Sequence, residues 1–324
     1  MNTPILQVKD LQKHFNFFHW YSNKQRKSIK AVDGVSFEVH PKQTFGIVGE
    51  SGCGKSTIAR LVLRLIDPTA GEIRLETTDL CSLDRQQLRA MRKRLQVIFQ
   101  DPFSSLDPRK TIQSIIAEPL NIHRVGTRKE RRDRVAYLMD RVGLKQAFLK
   151  RYPHEFSGGQ RQRIAIARAL ILNPDIIICD EAVSALDVSI QAQVLNLLKE
   201  LQVDFGLTYL FISHDLSVVR HISNRIAVMY LGKIVEIANT ATLFSNPLHP
   251  YTRALLSAVP VADPQKRKKP VLLDGDVPNP GNPPLGCRFH TRCKNSRSEC
   301  ESREPMLRQV ADDHLLACHE AVFH

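Results

Sequence analysis

The chain has 324 residues, 43% of them hydrophobic, enough for a substantial core and for one large domain with an appendage or two modest domains. No apolar run reaches the roughly 18 residues of a membrane-spanning helix, and the first six residues lack the basic and apolar regions of a secretory signal, so a cytoplasmic protein is expected. The formal net charge of +13 admits nucleic acid, anionic lipid or a solvated basic surface, and its clusters at 24–30, 128–134 and 266–269 lack the interleaved aromatics of a nucleic-acid face, except weakly the first.

In chain order, residues 5–10 alternate as a half-buried strand that continues to 15. Residues 16–30 form a polar insertion with Phe17, Phe18, Trp20 and Tyr21, read as a loop. Residues 31–39 resume strand character around a turn at Asp33-Gly34. The apolar run 44–48 leads into Gly49-Glu50-Ser51-Gly52-Cys53-Gly54-Lys55-Ser56-Thr57, and helical spacing follows to 63. Strand, glycine-rich turn and helix are the context in which G-x-x-x-x-G-K-[ST] cradles phosphate. Its glycines let backbone N–H groups approach an anion, and the helix N-terminus adds partial positive charge. Lys55 can reach the β- and γ-phosphates and Ser56 can ligate Mg²⁺.

Further on, 71–75 and 95–99 read as strands, the latter ending near Gln100, with a basic helix at 88–94 between them. Residues 111–149 are mostly helical, with an amphipathic segment at 131–142. A helix over 160–172 follows a glycine pair. Residues 175–179 form an apolar strand ending on Asp180-Glu181, 189–204 a helix, and 208–213 a strand ending at His214. Residues 225–230 and 233–236 pair as a hairpin. Buried strands alternating with helices predict an α/β domain with a largely parallel sheet. Prolines crowd 258–286, an extended linker, and a cysteine-bearing tail follows.

In such sheets ligand chemistry gathers at strand carboxyl ends. Asp180 and Gln100 are placed to hold Mg²⁺, Glu181 to polarise a water in line with the γ-phosphate, and His214 to contact that phosphate or orient the water. Alone, each would read as an ordinary surface residue. A second anion-binding turn, Ser157-Gly158-Gly159-Gln160, opens another helix, and it makes sense if it serves a nucleotide held by a partner chain.

In order and spacing, residues 49–57, Gln100, 156–160, 176–181, 184–187 and His214 resemble the ATP-binding subunits of ABC transporters over roughly residues 5–250. The resemblance implies a P-loop nucleotide-binding domain with a helical subdomain near 103–170. It also implies a head-to-tail pair of such domains with two ATPs between them. Phe15 matches the adenine-stacking aromatic and Asp187 the loop that communicates across the pair. Glu181 is followed by Ala182 where the family usually has proline, so the stiffness of that loop is in question. Residues 152–163, 249–256 and the proline-rich tail resemble dipeptide/oligopeptide permease ATPases of the DppF/OppF type. That implies a peptide importer with a second, related ATPase, two membrane permease subunits and an external binding protein, and a place on the cytoplasmic face of the inner membrane. An importer ATPase for nickel or an antimicrobial peptide is an alternative. A soluble ATPase acting on ribosomes or DNA is another, although the chain has neither a second nucleotide domain nor a coiled-coil insertion; no nucleic-acid partner is expected.

The chain has seven cysteines, an odd number, and disulfides are not expected. Cys287, Cys293, Cys300 and Cys318 can supply four thiolates to Zn²⁺ or an iron–sulfur cluster, and the lack of C-x-x-C pairs favours the cluster. The permease resemblance likewise implies [4Fe–4S] there. His290, His314 and His319 are reserve ligands. Residues 287–324 are thus expected to form a small Cys-rich lobe.

Overall fold

The computed structural model describes residues 3–17, 27–101, 105–259, 273 and 275–320. Most of the aromatic insertion (18–26) and much of the proline-rich linker (260–272 and 274) lie outside the described residues. The chain divides into two compact units: Met1–Asn2, Val39–Thr44 and Ser82–Ile212 in one, Thr3–Glu38, Phe45–Cys81 and Ser213–His324 in the other.

In the first unit, Ile176–Asp180 lies between Leu95–Ile98 and Thr208–Ser213, parallel to both, with Leu95 opposite Ile176 and Asp180 opposite Ile212. Every residue of the central strand is buried. A parallel strand covered on both faces reads as a continuous apolar run, which is why Ile176-Ile177-Ile178-Cys179 does not alternate. Helices Ile112–Ile122, Arg128–Arg141 and Gly158–Leu170 pack against one another. The second begins three residues before the amphipathic reading, because Thr127 and Glu130 form a capping box that satisfies its first amides. Helix Val188–Phe205 is docked at Leu198, whose carbonyl accepts the Tyr209 hydroxyl at 3.0 Å.

The second unit contains a four-stranded sheet in the order Lys27–Val39, Leu6–Phe17, Ala70–Leu75, Thr78–Asp79. It also contains Phe45 to Val48 of the strand Thr44–Val48, parallel to Arg225–Tyr230, with Val48 opposite Val228. The expected hairpin forms, with Lys233–Asn239 antiparallel to Arg225–Tyr230. The expected turn at Asp33-Gly34 does not: the strand runs on through it. Gly34 takes a positive φ, and Asp33 is held by His14 at 2.9 Å and by Arg288. The tail adds to the same sheet instead of building one of its own. His314–Leu316 pairs antiparallel with Lys233–Asn239 and carries Arg308–Ala311 beyond it.

Glu236 ties this unit together. Its fully buried carboxylate accepts from the amides of Leu248 (2.8 Å) and His249 (3.1 Å) and from His314 Nε2 (2.8 Å). Burial alone would raise its pKa, but these hydrogen bonds outweigh burial and hold it below the ordinary 4.5. A carboxylate with a depressed folded pKa contributes stability above its unfolded value and loses it as pH falls through the folded one. Removing it strands His314 and two amides, so Glu236→Ala should cost about 3 kcal/mol in equilibrium unfolding, the size typical of breaking a buried pair. In Glu236→Gln, the decline in stability on acidification below pH 4.5 should flatten relative to the parent, as urea titrations across pH would show.

Candidate functional site

The glycine-rich loop of the second unit joins strand Thr44–Val48 to helix Lys55–Val62. Gly54 is the cap of that helix, with φ of 108° and no side-chain cap. A Cβ there would stand 2.0 Å from the Ala31 carbonyl, so only glycine lets the loop lie this close to its neighbour. Lys55 is 4% exposed, and its ammonium donates to the carbonyls of Gly49 (2.8 Å) and Glu50 (2.9 Å). Cys53 is buried beside it, its thiol pushed up mainly by burial. Ser51 and Gly52 are exposed, and Ser56 and Thr57 are half-buried on the first turn of the helix. A positive side chain, a helix N-terminus and a glycine turn therefore converge, and this donor set suits a polyphosphate.

Two further expected residues belong to this unit. Phe15 lies in strand Leu6–Phe17, half-buried rather than in the core, with the Lys13 ammonium 5.2 Å from its ring centre. His214 is exposed and follows strand Thr208–Ser213 directly.

The first unit holds the rest. Asp180 is 8% exposed at the end of its strand. Glu181 turns away with φ of 50°, its amide donating to Ile212 O at 2.9 Å. The Glu181 carbonyl accepts from both the amide (3.1 Å) and the hydroxyl (2.9 Å) of Ser184. Ala182 and Val183 are buried. These contacts supply the restraint that proline would otherwise give the loop. Gln100 is exposed two residues beyond strand Leu95–Ile98.

Ser157 caps helix Gly158–Leu170 in a capping box: its hydroxyl accepts from the Gln160 amide (3.4 Å), and the Gln160 side chain accepts from the Ser157 amide (3.1 Å). Ser157 remains exposed. Gly159 has no room for a side chain, since its Cβ would meet Ile190 at 2.4 Å. Ile190 in turn donates its amide to Asp187 at 3.0 Å. The structure thus brings the Ser157–Gln160 turn and the Asp187 loop side by side. Asp187 is held below the usual carboxylate range by that amide and by the Ser189 hydroxyl.

The tail carries the four cysteines expected to hold a metal centre. Among the described residues, no group of three or more His, Cys, Asp or Glu side chains is arranged to hold a metal ion. The expected iron–sulfur cluster or Zn²⁺ at Cys287, Cys293, Cys300 and Cys318 thus finds no support among these residues, although the four thiols lie near enough to act electrostatically on one another. The reserve histidines are engaged otherwise: His290 with the Cys287 carbonyl, His314 with Glu236, His319 with the Arg303 carbonyl. Burial pushes the Cys287 thiol up to about 11 and raises Cys293 and Cys318 as well.

What sequence reasoning missed lies behind the glycine-rich loop. Arg292 Nη1 donates to Glu50 Oε2 at 2.9 Å, and the Glu50 amide donates to the Tyr251 hydroxyl at 3.0 Å. Phe289, Tyr230 and Tyr251 pack edge to face and tilted at 4.7–5.4 Å between ring centres. No local signal marks a contact between residues 242 positions apart. The one related sequence signal is the His249-Pro250-Tyr251 segment, part of the permease resemblance.

With this geometry in hand, comparison with known proteins is direct. The profile of the ABC transporter family matches residues 32–184, and that of the oligopeptide/dipeptide transporter C-terminal region matches residues 235–300. The chain is 55% identical over 319 residues to the oligopeptide transport ATP-binding protein AppF of Bacillus subtilis (strain 168), covering 97% of both chains. It is 52% identical over 316 residues to a putative peptide import ATP-binding protein of Brucella ovis, covering 98% of each. Among solved structures, the dimeric ATP-binding cassette MJ0796 bound to ADP and Pi is similar at a TM-score of 0.64 and 29% identity, over 72% of this chain and 98% of that one. The sequence and the fold agree, and the chain belongs to the ABC ATP-binding proteins of the oligopeptide/dipeptide transporter family.

Proposed function

We propose that this ABC ATPase energises a membrane importer of di- and oligopeptides. The observation that carries the reading is the 49–57 loop, where buried Lys55 and a glycine-tight helix start form a phosphate cradle. The peptide substrate is supported by the near full-length likeness to the oligopeptide and peptide import proteins of Bacillus and Brucella.

In this reading the loop amides and Lys55 bind the β- and γ-phosphates, and Phe15 stacks on adenine. Ser56, Gln100 and Asp180 offer hard oxygen donors that would hold Mg²⁺, which when bound neutralises phosphate charge. Glu181 polarises the attacking water and His214 orients it, so that hydrolysis rests on positioning and charge compensation. Ser157–Gln160 and Asp187 serve the nucleotide of a second ATPase subunit. The dimeric cassette similar to this chain supports such pairing; in this reading the partner is a related subunit. Among the described residues no helix is long and apolar enough to cross a membrane. Two permease subunits would provide the membrane path, an external binding protein would deliver peptide, and this chain would dock at the cytoplasmic face of the inner membrane. Residues 1–257 would be the nucleotide-binding domain, with 103–170 its helical part, 258–286 a linker and 287–324 the terminal segment.

The test is ATPase activity of the assembled transporter, which loaded binding protein should stimulate. Glu181→Gln should lower turnover at least about 100-fold, the scale of losing a general base. Its ATP affinity should be unchanged; wild-type-like hydrolysis would remove Glu181 from the role. Lys55→Ala should act earlier, weakening ATP binding itself by about tenfold or more in a direct titration, as expected when a charged phosphate contact is lost.

A further inference from the structure

Glu50 is an unexpected residue in a loop built to receive a polyphosphate, because its carboxylate adds a negative charge where negative charge must bind. The structure shows what becomes of it. Arg292, with its side chain only 8% exposed, takes both Glu50 oxygens, at 2.9 and 3.3 Å. The guanidinium also lies 5.9 Å from the Tyr230 ring centre, which orients it. The amide of the same glutamate is turned back onto the Tyr251 hydroxyl. A third tie holds the loop from behind, since the Gly232 amide donates to the Cys53 carbonyl at 2.8 Å. The neighbouring Leu231 carbonyl accepts from Arg288, which is paired with Asp33. Three of these groups, Tyr251, Arg288 and Arg292, lie within the stretch 235–300 that matches the oligopeptide/dipeptide transporter C-terminal region.

We propose that Arg292 is a positioning residue for nucleotide binding: it neutralises Glu50 and draws its carboxylate to the back of the phosphate loop, making the C-terminal region a structural part of the ATP site. Without Arg292, a half-buried carboxylate loses its counter-ion five residues from Lys55. It then repels the incoming phosphates and competes for the Lys55 ammonium. The effect is electrostatic and belongs to binding, not to the hydrolytic step. The proposal rests on the ATP-binding reading above.

A double-mutant cycle on the full chain tests it, read by titration with ATP in Mg²⁺ and by the KM and kcat of the assembled transporter. Arg292→Met should weaken ATP binding roughly five- to tenfold at low salt, raise KM in proportion and leave kcat within about twofold. The loss should shrink at high ionic strength. Adding Glu50→Gln should bring affinity back to within about twofold of the Glu50→Gln single variant, because no anion is left to neutralise. Should Arg292→Met fail to accumulate as folded protein, Arg292→Gln carries the same comparison, since it keeps a donor but removes the charge. Wild-type affinity in the Arg292 variants, or strictly additive losses in the double variant, overturns the proposal. If the wild type itself does not bind ATP, or Lys55→Ala binds it equally well, the ATP reading falls and takes the proposal with it. Intact binding in the wild type with loss in Lys55→Ala, but no effect at Arg292, removes only the proposal.

Discussion

A loop that offers backbone amides to an anion has few left to hold itself in place. Its stability has to come from behind, and here that backing is polar and long-range. Tyr251, Gly232 and Arg292 each secure a different point of the 49–57 loop. The buried Lys55 ammonium rests on two of the loop's own carbonyls and so closes the turn. A site built this way stays shaped before its ligand arrives, which limits the ordering cost of binding.

The same economy governs the C-terminal segment. With an arginine at 288 on Asp33, one at 292 on Glu50, and His314 on Glu236, the segment contributes hydrogen-bond partners to three carboxylates of the second unit. Buried carboxylates are costly unless satisfied, and each of these three is satisfied from far along the chain. His249 adds a neutral link: burial pushes its pKa down to about 4, and its Nδ1 accepts the Tyr251 amide.

The first unit shows how a signature turn is kept available. Ser157 and Gln160 satisfy each other's backbone, so the helix start needs nothing else from its surroundings. Gly159 lets Ile190 come close enough to set the Asp187 loop beside it. Glu181 takes a left-handed backbone that Ser184 pins at the carbonyl. Residues held in such conformations persist only where neighbours over-determine them, as at sites that must present one side chain.

Much of this was legible in the residues alone. Local patterns are set by neighbours in sequence, so the phosphate loop, the isoleucine strand ending at Asp180, the hairpin at 225–239 and the helix after Ser157 could all be read directly. The strand through Asp33-Gly34 could not, because Asp33 is stabilised there by His14, Lys233 and Arg288, which no local rule sees. Nor could the fate of the tail. Four cysteines in a short segment suggest a metal centre by count, whereas the partners of the nearby histidines and the pairing of His314–Leu316 with Lys233–Asn239 are decided by packing. The sequence by itself determined the chemistry on offer: which groups can meet phosphate, metal and water. Only the tertiary structure decided that Arg292 stands behind Glu50, because a contact across 242 positions depends on the whole intervening chain being folded.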